Sequence, residues 1–225
     1  MPERKDPPPG TKRPRPKSER TKRRILAAAE KLFAAKGFSA TGMRELAREA
    51  EVNLATITYF FGSKSGLLET LLDDIFKAYT GLIRRNLVGT DPLEVKIRNL
   101  VSEGVAYFSA NPGRLLILIS DMHREDPEIS DLKGRRVSEV MAIFQREVGD
   151  VLAAEGRPFP VLVAGPGLLM LIASRFLLAP VQSRARPQAY RDLSPEDYAD
   201  AIADLYLNGL KGLGMNTQRE RNSNA

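Results

Sequence analysis

Apolar residues recur along this chain at intervals of three and four, and nowhere do they alternate for long at intervals of two. That periodicity puts the buried surface on helical stripes and leaves no room for a sheet. Ile25, Ala29, Leu32 and Phe33 make one stripe, closed by Lys36-Gly37-Phe38, since glycine just past the last turn is the usual helix stop. Ser39 to Thr41 offers a capping group for a shorter stripe of Met43, Leu46, Ala47 and Ala50. Asn53 opens a third segment with Leu54, Ile57 and Phe61 on its apolar side, and Ser63 a fourth whose inner face reads Leu67, Leu68, Leu71, Leu72 and Ile75. Further on, Asp91-Pro92, Asn111-Pro112, Asp126-Pro127 and Ser194-Pro195 each set a capping residue before a proline suited to the first helical position. An all-α chain is predicted, with a compact unit over residues 21–76 and a larger helical domain over 77–215. Pro180 to Leu193 reads as a loop, and residues 216–225 as a flexible polar tail.

Charge is distributed unevenly. The 225 residues carry a net +6, yet residues 1–24 hold ten Lys or Arg against three Asp or Glu, so the rest of the chain is close to neutral. Six prolines among the first sixteen residues predict a flexible arm over 1–20, with Lys12, Arg13, Arg15, Lys17 and Arg20 available to phosphates. The arm has no apolar run of the kind a secretory signal needs, so a cytoplasmic location is expected. With no cysteine and one histidine, thiolate chemistry is excluded and clustered His metal sites are not expected. No G-x-S-x-G or phosphate-loop motif occurs, so an enzyme is not expected, nor a metal or cofactor.

Residues 158–174 carry no charge. Seventeen positions interrupted by Gly165-Pro166-Gly167 and followed by Arg175 are too short and too broken for a membrane span. A helix apolar on most sides in a soluble chain needs a core on one face and a partner on another. The last helix, with its stripe of Tyr198, Ile202, Leu205, Tyr206 and Leu210, pairs with it, predicting a homodimer through helices at about 158–179 and 194–214.

TGMRELAREA and EVNLATITYFF read as two short helices joined by a tight turn, the arrangement that lays its second helix in the DNA major groove. The outward side of that second helix, Asn53, Ala55, Thr56, Thr58 and Tyr59, is short and uncharged, and Leu54 in its first turn is counted with them as a candidate DNA contact. Small side chains permit close approach, threonine can bond a base or a phosphate, and Tyr59 can lean on the sugar-phosphate edge. Lys64 opens the next helix, where positive charge and free N–H groups together attract an anion.

The order helix, KGF, threonine, RELA, VN turn, YFF, GSK and leucine-rich helix, from Ile25 to Leu72, resembles the N-terminal domain of TetR-family transcriptional regulators. That resemblance implies a three-helix helix-turn-helix DNA-binding domain joined to a larger helical ligand-binding and dimerisation domain, about nine helices, acting as a homodimer on double-stranded DNA. It also implies that Thr41 and Arg44 meet phosphate or a base edge, that Asn53 caps, and that Tyr59 and Lys64 contact phosphate. Two positions depart from the family: Glu51 stands where glycine is usual in the turn, requiring the backbone to avoid positive φ or bear its cost, and Phe60 replaces a frequent histidine.

A repressor that binds a palindromic operator and is released by a small-molecule effector is the leading expectation. A DNA-binding protein controlled by a partner, or acting architecturally, is the alternative. Candidate effector contacts are His123, Phe144, Met170 and Arg175, although a solvated His123, core packing by Phe144 and Met170 and an interfacial or ion-paired Arg175 explain those residues as simply.

Overall fold

The computed structural model describes residues 16–120, 127–157 and 159–223, and every regular element among them is helical. The first unit contains α1 (Pro16–Lys36), α2 (Met43–Glu49) and α3 (Leu54–Phe61), followed by the long α4 (Lys64–Leu87). Then come α5 (Leu93–Ala110), α6 (Pro112–Ile119) and α7 (Pro127–Phe144), which runs through a π-helical turn, Gln145–Gly149, into α8 (Asp150–Ala154). The chain ends with α9 (Val161–Leu177), α10 (Ala179–Ala185), α11 (Pro187–Asp192) and α12 (Pro195–Ser223).

The apolar stripes are buried largely as their spacing predicts. Ile25, Ala29 and Phe33 of α1 meet Leu46 and Ala47 of α2, Ile57 and Phe61 of α3 and the leucines of α4 in one continuous core. Gly37, at φ 81, stops α1 in a conformation costly to other residues. α4 carries its inner face past the small unit, through Ile75 and Phe76 to Tyr79, Ile83 and Leu87, so the 77 boundary read from the sequence falls inside one unbroken helix. Each fully buried leucine or isoleucine on that face contributes about 1.5–3 kcal/mol. In the larger domain α5 packs between α4 and α12, α7 between α4 and α9, and α6 lies against α1, where Arg114 pairs with Glu30 at 3.4 Å.

Several local expectations are revised. α1 starts at Pro16, so Lys17 and Arg20 stand on its first turns and not in a flexible arm; Lys12, Arg13 and Arg15 lie outside the described residues. Pro180 to Leu193 is not a loop. Pro180 and Pro187 fall in the first turns of α10 and α11, and the polar composition that suggested a loop reflects two helices with no buried residue. α12 runs to Ser223, through most of the segment expected to be loose. Leu205 is exposed, and Leu207 fills the core instead. Among the described residues no single helix is long and apolar enough to cross a membrane; α9 and α10 reach that length only together, bent by 55°.

The junction of α3 and α4 is the tightest in the small unit. Ser63 Oγ accepts from the Gly66 N–H at 3.0 Å, and a Cβ on Gly66 would stand 2.1 Å from the Phe61 carbonyl oxygen. Glycine alone permits that approach. Gly66→Ala is expected to cost about 1–3 kcal/mol through overpacking, read as a lowered melting temperature.

Candidate nucleic-acid interface and interior cavity

α3 presents its helix N-terminus and one uncharged face to solvent. Asn53 caps it: Oδ1 accepts from the Thr56 N–H at 2.8 Å and from the Thr56 hydroxyl at 2.7 Å, which fixes the side chain and leaves its amide N–H groups outward. Leu54, Ala55, Thr58 and Tyr59 are exposed, while Ile57 and Phe61 face inward. Leu54 therefore belongs to the outer face and not, as its spacing suggested, to the core. Tyr59 is 82% exposed, its ring steadied edge-on against Phe60 at 5.2 Å. Thr58 returns its hydroxyl to the Leu54 carbonyl at 3.3 Å, a bond long enough to yield to a better acceptor.

Two expected contacts are turned to other work. Thr41 is 1% exposed and donates its hydroxyl to the Gly37 carbonyl at 2.8 Å, so it neither caps α2 nor faces outward. The cap of α2 is Gly42, whose missing side chain supplies no bond. Lys64 donates to the carbonyls of Phe38 and Thr41 at 3.0 and 3.1 Å, with its ammonium 4.2 Å from the Phe38 ring centre. It is a clamp on the α1–α2 turn, with one N–H left over. The spacing that marked Lys64 as an anion ligand could not show that two carbonyls stood nearer.

Cations and anions in this unit are sorted by pairing. Lys31 reaches Glu49 at 2.6 Å, and Lys36 pairs with Glu45, tying α1 to α2. The Lys36 hydrogen bond holds the Glu45 carboxyl below its usual range. No ion pair is found, among the described residues, for Arg44 and Arg48 on α2 or for Lys17, Arg20 and Arg23 on α1, and all five are exposed.

Sequence reading missed Arg24. Its guanidinium donates through Nε (3.2 Å) and NH2 (2.5 Å) to the Ala50 carbonyl, and through NH2 to the Glu51 carbonyl at 2.8 Å. Ala50 closes α2, and Glu51 follows at φ 50, the left-handed region. The departure from glycine at Glu51 thus carries real strain, about 1 kcal/mol or more, and Arg24 offsets it by satisfying carbonyls at the helix end. The basic tract alone gave Arg24 no distinction from Arg23.

A second feature lies in the larger domain. A cavity of about 260 Å³ opens between α4, α6, α7 and α9. Phe76 and Tyr79 line it from α4, Leu118 and Ile119 from α6, Val140, Met141 and Phe144 from α7, and Pro166, Leu169 and Met170 from α9. Phe144 and Met170 are thus where a cavity contact should be. Arg175 is not: its guanidinium lies 5.1 Å from the Tyr198 ring and reaches the Leu193 carbonyl at 3.3 Å, holding the α11–α12 connection. Phe176 packs on the core without lining the cavity. His123 lies outside the described residues. No group of three or more His, Asp or Glu among the described residues is placed to hold a metal.

Fold and surface together define a helix-turn-helix protein whose reading unit is fused through α4 to a helical domain with an internal cavity. Residues 25–71 match the profile described as bacterial regulatory proteins, tetR family, a match that covers the helix-turn-helix unit and the first turns of α4. Among curated relatives, the HTH-type transcriptional regulator HbdR of Aromatoleum sp. is 35% identical over 77 residues, 34% of each chain. The matched segments span between 28% and 63% of the curated relatives' own length. Among solved structures, the transcriptional regulator FadR from Bacillus subtilis, in complex with stearoyl-CoA, superposes with a TM-score of 0.66 at 12% identity, covering 83% of this chain and 98% of FadR. NalD of Pseudomonas aeruginosa gives 0.60 at 25% identity, covering 87% and 98%.

Arg24→Met is expected to destabilise the protein by about 1 kcal/mol, since the half-buried Ala50 carbonyl loses its partner while the exposed Glu51 carbonyl turns to water. Glu51→Gly in that background should recover about 1 kcal/mol by removing the strain. Melting temperatures of the two variants check both figures.

Proposed function

We propose that this chain is a DNA-binding transcriptional regulator, a repressor that occupies a palindromic operator as a homodimer and leaves it when a small molecule fills the cavity. The observation that carries the reading is α3: eight residues without a charge, capped by Asn53, exposing Ala55, Thr58 and Tyr59 on a rigid three-helix unit. Such a face suits close approach to base edges, with the Asn53 amide and Tyr59 hydroxyl placed for acceptors. Arg44, Arg48 and the cations of α1 would supply phosphate contacts, joined by the basic residues that precede Pro16.

Exposed apolar side chains support a dimer through α9 and α12. Leu162 and Val163 at the start of α9 are 78% and 69% exposed, and Leu205 on the adjoining α12 is 62% exposed. Met170, Leu177 and Val181 continue the patch. An apolar surface of this kind is what a second copy would cover. Two copies would present their α3 helices to major grooves about 34–36 Å apart. Repression and ligand release are supported by relatives of the same fold: FadR was solved with stearoyl-CoA, and NalD is described as the secondary repressor of a multidrug efflux pump. Because α4 joins the reading unit to the cavity wall, a ligand that prefers one position of Phe76 and Tyr79 would bias α3, and DNA would in turn oppose that ligand by linkage.

The test is selection of binding sites from random duplex DNA with the full chain, followed by affinity measurement across salt concentrations. An inverted repeat is expected. Tyr59→Phe, which touches only an exposed hydroxyl, should change stability by less than about 0.5 kcal/mol while weakening operator binding several-fold. Removal of residues 1–15 should flatten the dependence of affinity on salt. Enrichment of no motif would sink the operator reading and favour an architectural role.

A further inference from the structure

We infer that the cavity takes a neutral, largely apolar molecule carrying one hydrogen-bonding group, which meets the Tyr79 hydroxyl, and that it rejects an anion. This rests on the effector reading above and specifies its chemistry. The lining contributes almost no polar surface, and none of its residues carries a charge. Tyr79 is the exception in kind: it is 7% exposed, and among the described residues its hydroxyl makes no hydrogen bond. Tyr206, by contrast, donates its hydroxyl to the Ala164 carbonyl at 3.1 Å. The Tyr79 hydroxyl is the one hydrogen-bonding side-chain group among the lining residues, and a ligand oxygen would give it a partner. Burial pushes the Tyr79 phenol well above its usual range, so it stays a donor at any working pH.

The charged side chains around this region stand outside the lining. Lys133 is buried with its ammonium on the carbonyls of Ile117, Leu118 and Ser120, at the end of α6. Arg136, which precedes Val137 on α7, is paired with Asp73 in the neighbouring groove, and Arg175 lies on Tyr198. A carboxylate or phosphate drawn into the cavity would therefore lose its water without meeting a charged residue in the lining. Met141 and Met170 stand on facing helices, and Met170 is 48% exposed, which places adaptable side chains where the cavity meets the surface. At about 260 Å³ the space lies just below the range of about 300–1,000 Å³ common for ligand sites, fitting a slim molecule.

Calorimetric titration of the full chain with 1-decanol and with decanoate at pH 8 tests this. Saturable binding of one 1-decanol per chain is expected, with decanoate at least about tenfold weaker. Tyr79→Phe should weaken 1-decanol about fivefold and leave decanoate unchanged. A filled cavity in Val140→Phe, with folding checked by its melting curve, should abolish the binding and so exclude association at the exposed α9 patch. Decanoate binding as tightly as 1-decanol, indifference to Tyr79→Phe, retained binding in folded Val140→Phe, or no binding of either probe would each overturn the inference. Operator affinity measured with and without 1-decanol separates the two proposals: binding that passes these tests yet leaves operator affinity unchanged upholds the cavity chemistry and overturns the effector reading.

Discussion

The continuity of α4 governs the rest of the structure. Its first turn is pressed against the end of α3, with the Gly66 α-carbon close beneath the Phe61 carbonyl, and about three to four turns later its Phe76 and Tyr79 form a wall of the interior cavity. A helix buried on one face for its whole length does not bend cheaply, because each residue on that face would have to leave a packed neighbour. The position of α3 is thus set at both ends, by α4 on one side and by the Arg24 clamp on the preceding turn on the other. The surface that would read DNA consists of side chains whose backbone has little freedom of its own.

Much of this was legible in the sequence because burial imposes a period and periods survive in a string of letters. The leucine face of α4, the stop at Gly37 and the Asn53 cap all appear where spacing and residue type put them. Polar groups were harder, since a cation has no period. Lys64 and Arg24 both find backbone carbonyls contributed by segments 23 to 27 residues away, and only three-dimensional proximity decides that they serve the protein before any phosphate. Thr41 shows the same limit on a smaller scale: a residue of capping type satisfied its hydroxyl four residues back instead of three ahead.

The α10–α11 region illustrates a different cause. Proline and arginine in close succession read as loop, but proline also starts helices, and two short exposed helices bury too little to leave a stripe. Leu205 was misplaced on the inner face, which Ile202, Ala203, Tyr206, Leu207 and Leu210 hold, because an apolar residue on the exposed side of α12 cannot be told by type from one on the buried side. For the cavity, the sequence named Phe144 and Met170 from composition and added Arg175 from its charge. The guanidinium instead found aromatic faces and a carbonyl on the α11–α12 connection, so charge was a poor guide to what an apolar void would hold.

The absence of charge from α3 carries a consequence for how such a protein would search a genome. On the proposed reading, attraction to any duplex comes from cations on α1, on α2 and in the preceding basic segment, whereas choice among sequences comes from short-range contacts made by neutral side chains. Ionic strength acts on the first and hardly on the second. Residence on DNA and fidelity of choice would then be tuned by separate parts of the chain, so that changing one face of eight residues retargets the protein without altering how tightly it holds to the double helix at large.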